Sequence, residues 1–141
     1  MIYEMDKARA GMKADAGFDR VESLPAAEAI QFGLVVGEDT QGRAVPGGGT
    51  RIAGISLHTH TKMGGYEQYD DVSIETNAPV WAQVIDAGTV TDGGDVEFDA
   101  AGRVQDADVG TALPNAIFRS DAITLSDGSV IALVQLATPF K

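Results

Sequence analysis

From residue 25 onward, apolar residues occur in short runs separated by Gly, Pro, Asp and Asn. They do not recur at the three-to-four-residue spacing of a helix. Short apolar runs between turn residues predict strands, and many such runs are typical of an all-β sandwich or barrel. The predicted strands are 29–36, 43–45, 52–60, 72–76, 80–85, 96–98, 103–104, 117–119, 123–125 and 129–136. The pattern therefore predicts an all-β fold, either a small β-barrel or a β-sandwich.

Turn residues join several of these strands into hairpins. Ser126-Asp127-Gly128 separates two apolar runs and is the clearest hairpin signal in the chain. Residues 99–102 and 38–42 also combine Asp with Gly between apolar stretches. Asp and Gly favour turn conformations because they tolerate a left-handed backbone or hydrogen-bond to their own main chain.

Alternation along the strands predicts which faces are buried. In 52–60 it places Ile55 and Leu57 toward a core, with Ser56 on the opposite, solvated face. Asp95, Glu97 and Asp99 likewise share one face of their strand, and we expect that face to be solvated. Residues 80–85 are apolar on both faces apart from one glutamine, which predicts a covered central strand with Trp81 in the core.

The first 24 residues differ from the rest of the chain. They contain two glycines and few large apolar residues, and Pro25 follows them as a boundary. We therefore predict two parts: an N-terminal arm over residues 1–24 that binds a partner and is mobile when free, and a β-rich body over 25–141.

Charge is unevenly divided between these parts. The chain carries 21 acidic and 10 basic residues, a formal net charge of −11. Residues 1–24 hold four basic and five acidic side chains, a net charge of −1. Residues 25–141 therefore hold six basic and sixteen acidic side chains, a net charge of −10. Such an acidic surface repels nucleic acid. No apolar run approaches the roughly 20 residues of a membrane span, and no secretory signal is evident. We expect neither nucleic acid nor membrane as a partner.

Motifs for catalysis are incomplete. The absence of cysteine excludes disulfides, thiolate nucleophiles and thiolate metal sites. Gly54-Ile55-Ser56-Leu57-His58 lacks the second glycine of a nucleophile elbow, and Gly47-Gly48-Gly49-Thr50 lacks the lysine of a phosphate-binding loop. The acidic residues around Asp95 do not follow the spacing of an EF-hand loop. The sequence predicts a protein that binds without catalysing a reaction and that needs no cofactor.

One metal-site alternative stays open at this point. His58 and His60 lie two apart on a predicted strand, so they point the same way and could bind a metal together with Glu67. A cupin-like site would need a third histidine, which the chain lacks. Two solvated histidines are the favoured interpretation, and a small metal-dependent cupin-like β-barrel enzyme is the alternative.

The order of these segments resembles that of the small structural cement, or head-decoration, proteins of tailed bacteriophages. An N-terminal segment precedes a glycine-containing strand, a Gly-Ile strand, a Pro-Val-Trp strand, a Gly-Asp turn, a Gly hairpin and a closing apolar strand. The segments that carry the resemblance are 32–36, 52–56, 77–84, 93–96, 98–103 and 130–136. Residues 61–71, with two glycines and two tyrosines, fall outside this pattern.

The resemblance implies a non-enzymatic virion protein that binds the outer surface of the phage head in many copies and stabilises it. It implies the major capsid protein as partner, self-association as a homotrimer, and synthesis in the cytoplasm of the host bacterium. Applied to the arm, it suggests basic and aromatic capsid anchors with apolar support: Arg9, Lys13, Phe18 and Arg20, with Ile2 and Met5. A phage tail or baseplate adaptor would bind its partner through the same kinds of contact and is a further alternative.

Overall fold

The computed structural model describes residues 8–14, 20–59, 61–62, 64–86, 88–108 and 110–137. These ranges form thirteen strands: β1 (Val21–Pro25), β2 (Ile30–Gln31), β3 (Val35–Glu38), β4 (Ala44–Pro46), β5 (Arg51–Ser56), β6 (Gly65–Tyr66), β7 (Asp71–Glu75), β8 (Pro79–Gln83), β9 (Asp95–Phe98), β10 (Val104–Asp106), β11 (Thr111–Phe118), β12 (Ile123–Thr124) and β13 (Val130–Leu136). Within the same ranges, no helix is long and apolar enough to cross a membrane.

The first half of the chain forms a five-stranded antiparallel sheet in the order β1-β7-β5-β3-β4. β1 pairs with β7 over its whole length, from Val21 opposite Glu75 to Pro25 opposite Asp71. β5 pairs with β3 on one side and with β7 on the other. β1 therefore lies beside β7, and the residue after it, Ala26, forms a parallel bridge with Ala44 of β4.

The second half forms another antiparallel sheet, in the order β10-β9-β11-β13. β13 pairs with β8 along one edge, and with β11 and then β12 along the other. β11 contains a bulge opposite β9, because the six residues of β11 from Ala112 to Ile117 lie opposite the three residues of β9 from Glu97 to Asp95. Such a bulge bends a strand and increases its twist.

The sheets pack as layers in a sandwich-like arrangement. One core lies between the two large sheets and combines Val35 and Ile55 with Val80, Phe118 and Val134. A second core on the other face of the first sheet contains Val36, Val72 and Ile74, together with Ile30 of β2 and Tyr66 of β6. The consecutive valines of β3 thus face opposite cores, as the two-residue period of a strand requires. The all-β prediction is confirmed, and of the two predicted architectures, barrel and sandwich, the structure has the sandwich-like one.

The predicted hairpins are present and two of them share one design. Asp39 and Asp99 each begin a turn in which the carboxylate accepts hydrogen bonds from the backbone N–H groups two and four residues later. Gly42 and Gly102 close these turns with φ values of 76° and 87°. Because a left-handed backbone favours glycine, the Asp-x-x-Gly pattern explains both hairpins. The hairpin at Ser126-Asp127-Gly128 is also confirmed, with Leu125 N donating to Ser129 O at 2.7 Å.

The prediction of one continuous strand over 29–36 is wrong, because this stretch contains β2 and the beginning of β3. The chain turns at Gly33, which has a φ of 77°, and this turn separates β2 from β3. The predicted strand 52–60 ends at Ser56, and the prediction that Ser56 is solvated is wrong. Its hydroxyl is buried, donates to Gln31 O at 2.8 Å and accepts from Leu34 N at 3.1 Å. The tight turn at Gly33 places polar backbone groups inside the body, and Ser56 satisfies them.

Two further burial predictions are corrected. Glu97 was expected on a solvated face but is only 2% exposed, and its carboxylate accepts hydrogen bonds from Asp108 N and Gly110 N. Trp81 was expected in the core of a central strand, yet β8 lies at the margin of its sheet and Trp81 is half-buried on the face opposite Val80. Alternation decides this orientation, since neighbours in a strand point to opposite faces.

Candidate binding surface

Residues 8–14 lie against the outer edge of β8. Gly11 N donates to Trp81 O at 2.6 Å, Trp81 N donates to Met12 O at 2.9 Å, and Ala14 N donates to Pro79 O at 3.0 Å. Lys13 forms an antiparallel bridge with Val80. We refer to residues 8–14 as the docked segment. It satisfies backbone groups that an open strand edge would leave exposed.

Gly11 allows the close approach of the docked segment to the body. It is buried with a φ of 81°, and its carbonyl accepts a hydrogen bond from His58 N at 3.0 Å. A Cβ atom at this position would lie 2.6 Å from His58 N and 2.9 Å from Ser56 O. Those are backbone atoms, which cannot move aside as a flexible side chain can. Glycine is therefore required here both by its conformation and by the available space.

The three described residues among the predicted anchors all have exposed side chains. Arg9 and Lys13 are exposed on the docked segment, beside Met12, which is 37% exposed. Arg20 precedes β1, and its guanidinium lies 3.5 Å from the Glu22 carboxylate. Its backbone carbonyl accepts hydrogen bonds from both the N–H and the hydroxyl of Thr76. The predicted anchors Ile2, Met5 and Phe18 lie outside the described residues.

The predicted boundary at Pro25 falls inside structured chain. β1 spans Val21–Pro25, and the docked segment precedes it. Arg9, Lys13 and Arg20 are thus held on the surface of the body by backbone contacts. Whether residues 1–24 bind a partner, and whether they move when free, stays a prediction.

A groove adjoins the docked segment. Its lining includes Arg9, Phe32, His58, Gln83 and Asp127, and its volume is about 470 Å³. The rings of Phe32 and His58 are 4.8 Å apart, and Gln83 Nε2 donates to Phe32 O at 2.7 Å. The groove is open and mixed in character, with a cation and a carboxylate among its lining side chains. These features suit a contact with protein rather than the enclosure of a small substrate.

Of the three candidate metal residues, the structure describes His58 and Glu67. His58 is half-buried against Phe32, which corrects the expectation that its ring is solvated, while Glu67 is exposed. His60 lies outside the described residues. Across the described ranges, no group of three or more His, Cys, Asp or Glu side chains is placed to hold a metal ion.

Most basic residues of the body form ion pairs with nearby acids. Among the described residues these pairs are Arg43 with Asp39, Arg51 with Glu38, Lys62 with Asp70, and Arg103 with Asp86. The Arg51 guanidinium is bonded to Glu38, and this contact raises the pKa of Arg51. Local neutralisation of these cations leaves the excess carboxylates to set the sign of the body's surface potential.

We expect Gly11→Ala to detach the docked segment while the two sheets remain folded. The added methyl group would collide with backbone at His58 and Ser56. Amide hydrogen exchange at Trp81 should then accelerate by at least about tenfold, since its N–H donates to Met12 of the segment. Ala14→Ser, at an exposed position of the same segment, is the matched control. Unchanged protection at Trp81 in Gly11→Ala would contradict this account of docking.

The sequence matches a known family, and the fold matches a chain of a solved structure. The family model described as "Structural cement protein (E217 gp24/Pam3 gp6)" matches residues 1–137. A chain of the solved structure "The capsid of Myoviridae Phage XM1" shares the fold with a TM-score of 0.77 and 18% sequence identity; the match covers 100% of this chain and 96% of that chain. No curated protein sequence matches the chain. With nearly its whole length matched, this chain belongs to the structural cement protein family, whose role is to stabilise a phage capsid.

Proposed function

We propose that this protein binds the outer surface of a phage capsid in many copies, as a homotrimer, and stabilises the head without catalysing a reaction. The observation that carries the proposal is the match to the structural cement family over residues 1–137. The layered all-β body supports it, because two packed cores make a rigid element that can brace a neighbouring surface. The chain would be made in the host cytoplasm and would add to the particle from there.

The docked segment supplies a capsid contact in this proposal. It presents Arg9 and Lys13 as exposed cations on an otherwise acidic protein. Arg20, held by Thr76, adds a third cation, and Ile2, Met5 and Phe18 are proposed to add apolar and aromatic contacts. Each contact alone is modest. A trimer gains avidity, because once one copy has bound, the remaining contacts form within the same complex. Cyclic symmetry would also let three copies bind equivalent capsid subunits.

The test is binding to capsids produced by a phage from whose genome this gene has been deleted. The purified protein should saturate such capsids and raise their resistance to heat, and in solution it should have the mass of a trimer, about 44 kDa from three 14.7 kDa chains. Arg9→Glu and Lys13→Glu should each weaken binding on the order of tenfold, mainly through lost electrostatic complementarity.

Arg119→Glu is the matched control, since Arg119 is exposed at the end of β11, away from the docked segment. It should leave binding nearly unchanged. Failure of the wild-type protein to bind or stabilise the capsids would refute the proposed function. Equal losses from Arg9→Glu and Arg119→Glu would refute only the assignment of the contact to the docked segment.

A further inference from the structure

Residues 61–71, which the sequence pattern alone did not account for, present one tyrosine to solvent. Tyr69 is 72% exposed, the most exposed large apolar side chain in the described ranges. Its backbone has a φ of 71°, and within those ranges Asn115 is the other non-glycine residue with a positive φ. A bulky side chain is unfavourable in this left-handed conformation, which glycine or asparagine would adopt more readily.

Hydrogen bonds on both sides hold Tyr69 in this conformation. Tyr69 N donates to Ala26 O, and Ala26 N donates to Asp70 O, both at 2.8 Å. The Asp70 carboxylate accepts from Glu67 N at 2.8 Å and lies 3.1 Å from Lys62 Nζ. These two contacts hold the pKa of Asp70 below its usual range. The turn is therefore rigid, and the position of Tyr69 is defined by the backbone.

The other tyrosine of the segment has the opposite role. Tyr66 is 4% exposed, its hydroxyl donates to Leu57 O at 2.7 Å, and its ring packs edge-on against Phe32. Burial raises the pKa of Tyr66. One tyrosine thus anchors the segment in the core and the other projects from it. Nothing in the packing of the body requires an aromatic side chain at position 69.

The surroundings of Tyr69 are acidic. Glu67 and Asp71 are exposed on either side of it, whereas the Asp70 carboxylate is neutralised by Lys62. A rigid, exposed tyrosine is the type of side chain that fills a pocket at the centre of a protein interface. Carboxylates at its rim fit a partner whose pocket is bordered by Lys or Arg.

The surface at Glu67, two residues before Tyr69, continues toward the docked segment. A groove of about 570 Å³ lies beside Glu67 and is lined in part by Gln31 and Gly64. The same two residues line the groove beside Arg9. Glu67 and Arg9 therefore border adjoining grooves on one side of the protein.

We propose that Tyr69 is an anchor that inserts into an apolar slot of the capsid protein, and that Lys or Arg side chains around this slot pair with Glu67 and Asp71. The inference rests on the proposed function and names a second capsid contact beside the docked segment. Tyr69 gives contact area at low entropic cost because its backbone is already fixed.

The test is Tyr69→Asn in the full-length protein. Asparagine suits the left-handed backbone, so the thermal midpoint should stay equal or rise, while capsid affinity should fall by about thirtyfold, as for loss of an interface anchor. Raising the salt concentration from about 50 to about 500 mM should weaken wild-type binding, because it screens the paired charges at the rim. Ile123→Ala is the matched control, since Ile123 is exposed on the other large sheet and should leave affinity unchanged.

The outcomes separate this inference from the function on which it rests. If the wild-type protein does not bind capsids, both are overturned. If the wild-type protein binds and Tyr69→Asn binds equally well, only the anchor is overturned. A changed solution mass of Tyr69→Asn with unchanged capsid affinity would also overturn it, because Tyr69 would then serve contacts between copies of this chain.

Discussion

Gly54→Ala is expected to cost about 3–5 kcal/mol of unfolding free energy, a large part of the stability of a domain of this size. Gly54 lies in β5 with a φ of 151°, in a conformation that residues with a side chain rarely adopt. A Cβ atom there would lie 2.2 Å from Glu75 O and 2.8 Å from Ile74 Cγ2. Backbone strain and overpacking each contribute about 1–3 kcal/mol.

The neighbouring strand cannot yield to relieve this collision. Glu75 is held by pairing with β5 on one side and with β1 on the other. The measurement is the urea unfolding midpoint at neutral pH. Gly128→Ala is the matched control, because Gly128 also has a positive φ, 89°, but no atom lies within 4 Å of the added Cβ. This variant should lose only about 1–2 kcal/mol of unfolding free energy. Equal losses for the two variants would show that the close approach of β7 is not what makes Gly54 essential.

Glu97→Gln is expected to destabilise the protein by about 2–4 kcal/mol at neutral pH. Glu97 Oε2 accepts hydrogen bonds from Asp108 N at 2.8 Å and Gly110 N at 2.7 Å, and Oε1 accepts from the Gln105 side-chain amide. Bonds to a buried charge are worth about 1.5–3 kcal/mol each, and an unpaired buried group costs more. A glutamine at 97 would direct its own NH₂ group toward one of these donors.

The effect of Glu97→Gln should depend on pH. Hydrogen bonds from Asp108 N and then from Gln105 and Gly110 lower the pKa of Glu97, although burial opposes them. A lowered folded-state pKa means that the stabilisation is fully present above the unfolded-state value and is lost as pH falls through the folded-state value. The difference in urea midpoint between wild type and Glu97→Gln should therefore shrink in acid.

Glu28→Gln is the matched control, because Glu28 is exposed, whereas Glu97 is buried. This substitution should change the free energy of unfolding by less than about 0.5 kcal/mol at any pH. A difference between wild type and Glu97→Gln that stays constant from neutral pH into acid would contradict the proposed role of the ionised carboxylate.

Much of the local structure follows from the sequence. Asp99 and Gly102 predict their hairpin because a short-range hydrogen bond and a left-handed glycine are both local properties. Alternation correctly places Val96 and Phe98 in the core. The same alternation misplaces Glu97, because residues from another turn cover that face, and a period of two carries no information about what packs over a strand.

The candidate site was predicted less completely. Basic residues in the first 24 positions drew attention to Arg9, Lys13 and Arg20, and their exposure agrees with a contact role. The docking of residues 8–14 onto β8 was not predicted, since the hydrogen bonds of Gly11 and Met12 join parts of the chain about 70 residues apart. Gly11 is one of the two glycines of the predicted arm, and local sequence does not reveal its contacts. Its actual role depends on the nearby backbone of His58 and Ser56.

The sequence by itself determined the all-β class, the hairpins and the acidic character of the body, because these depend on local turn chemistry, a two-residue period and a count of charges. Only the tertiary structure decided which strands form the sheet margins, that Ser56 and Glu97 are buried, and that Tyr69 projects from a rigid turn. These depend on contacts between distant segments. A segment's own residues specify how it bends, but the chain that packs against it decides which of its side chains remain available to a partner.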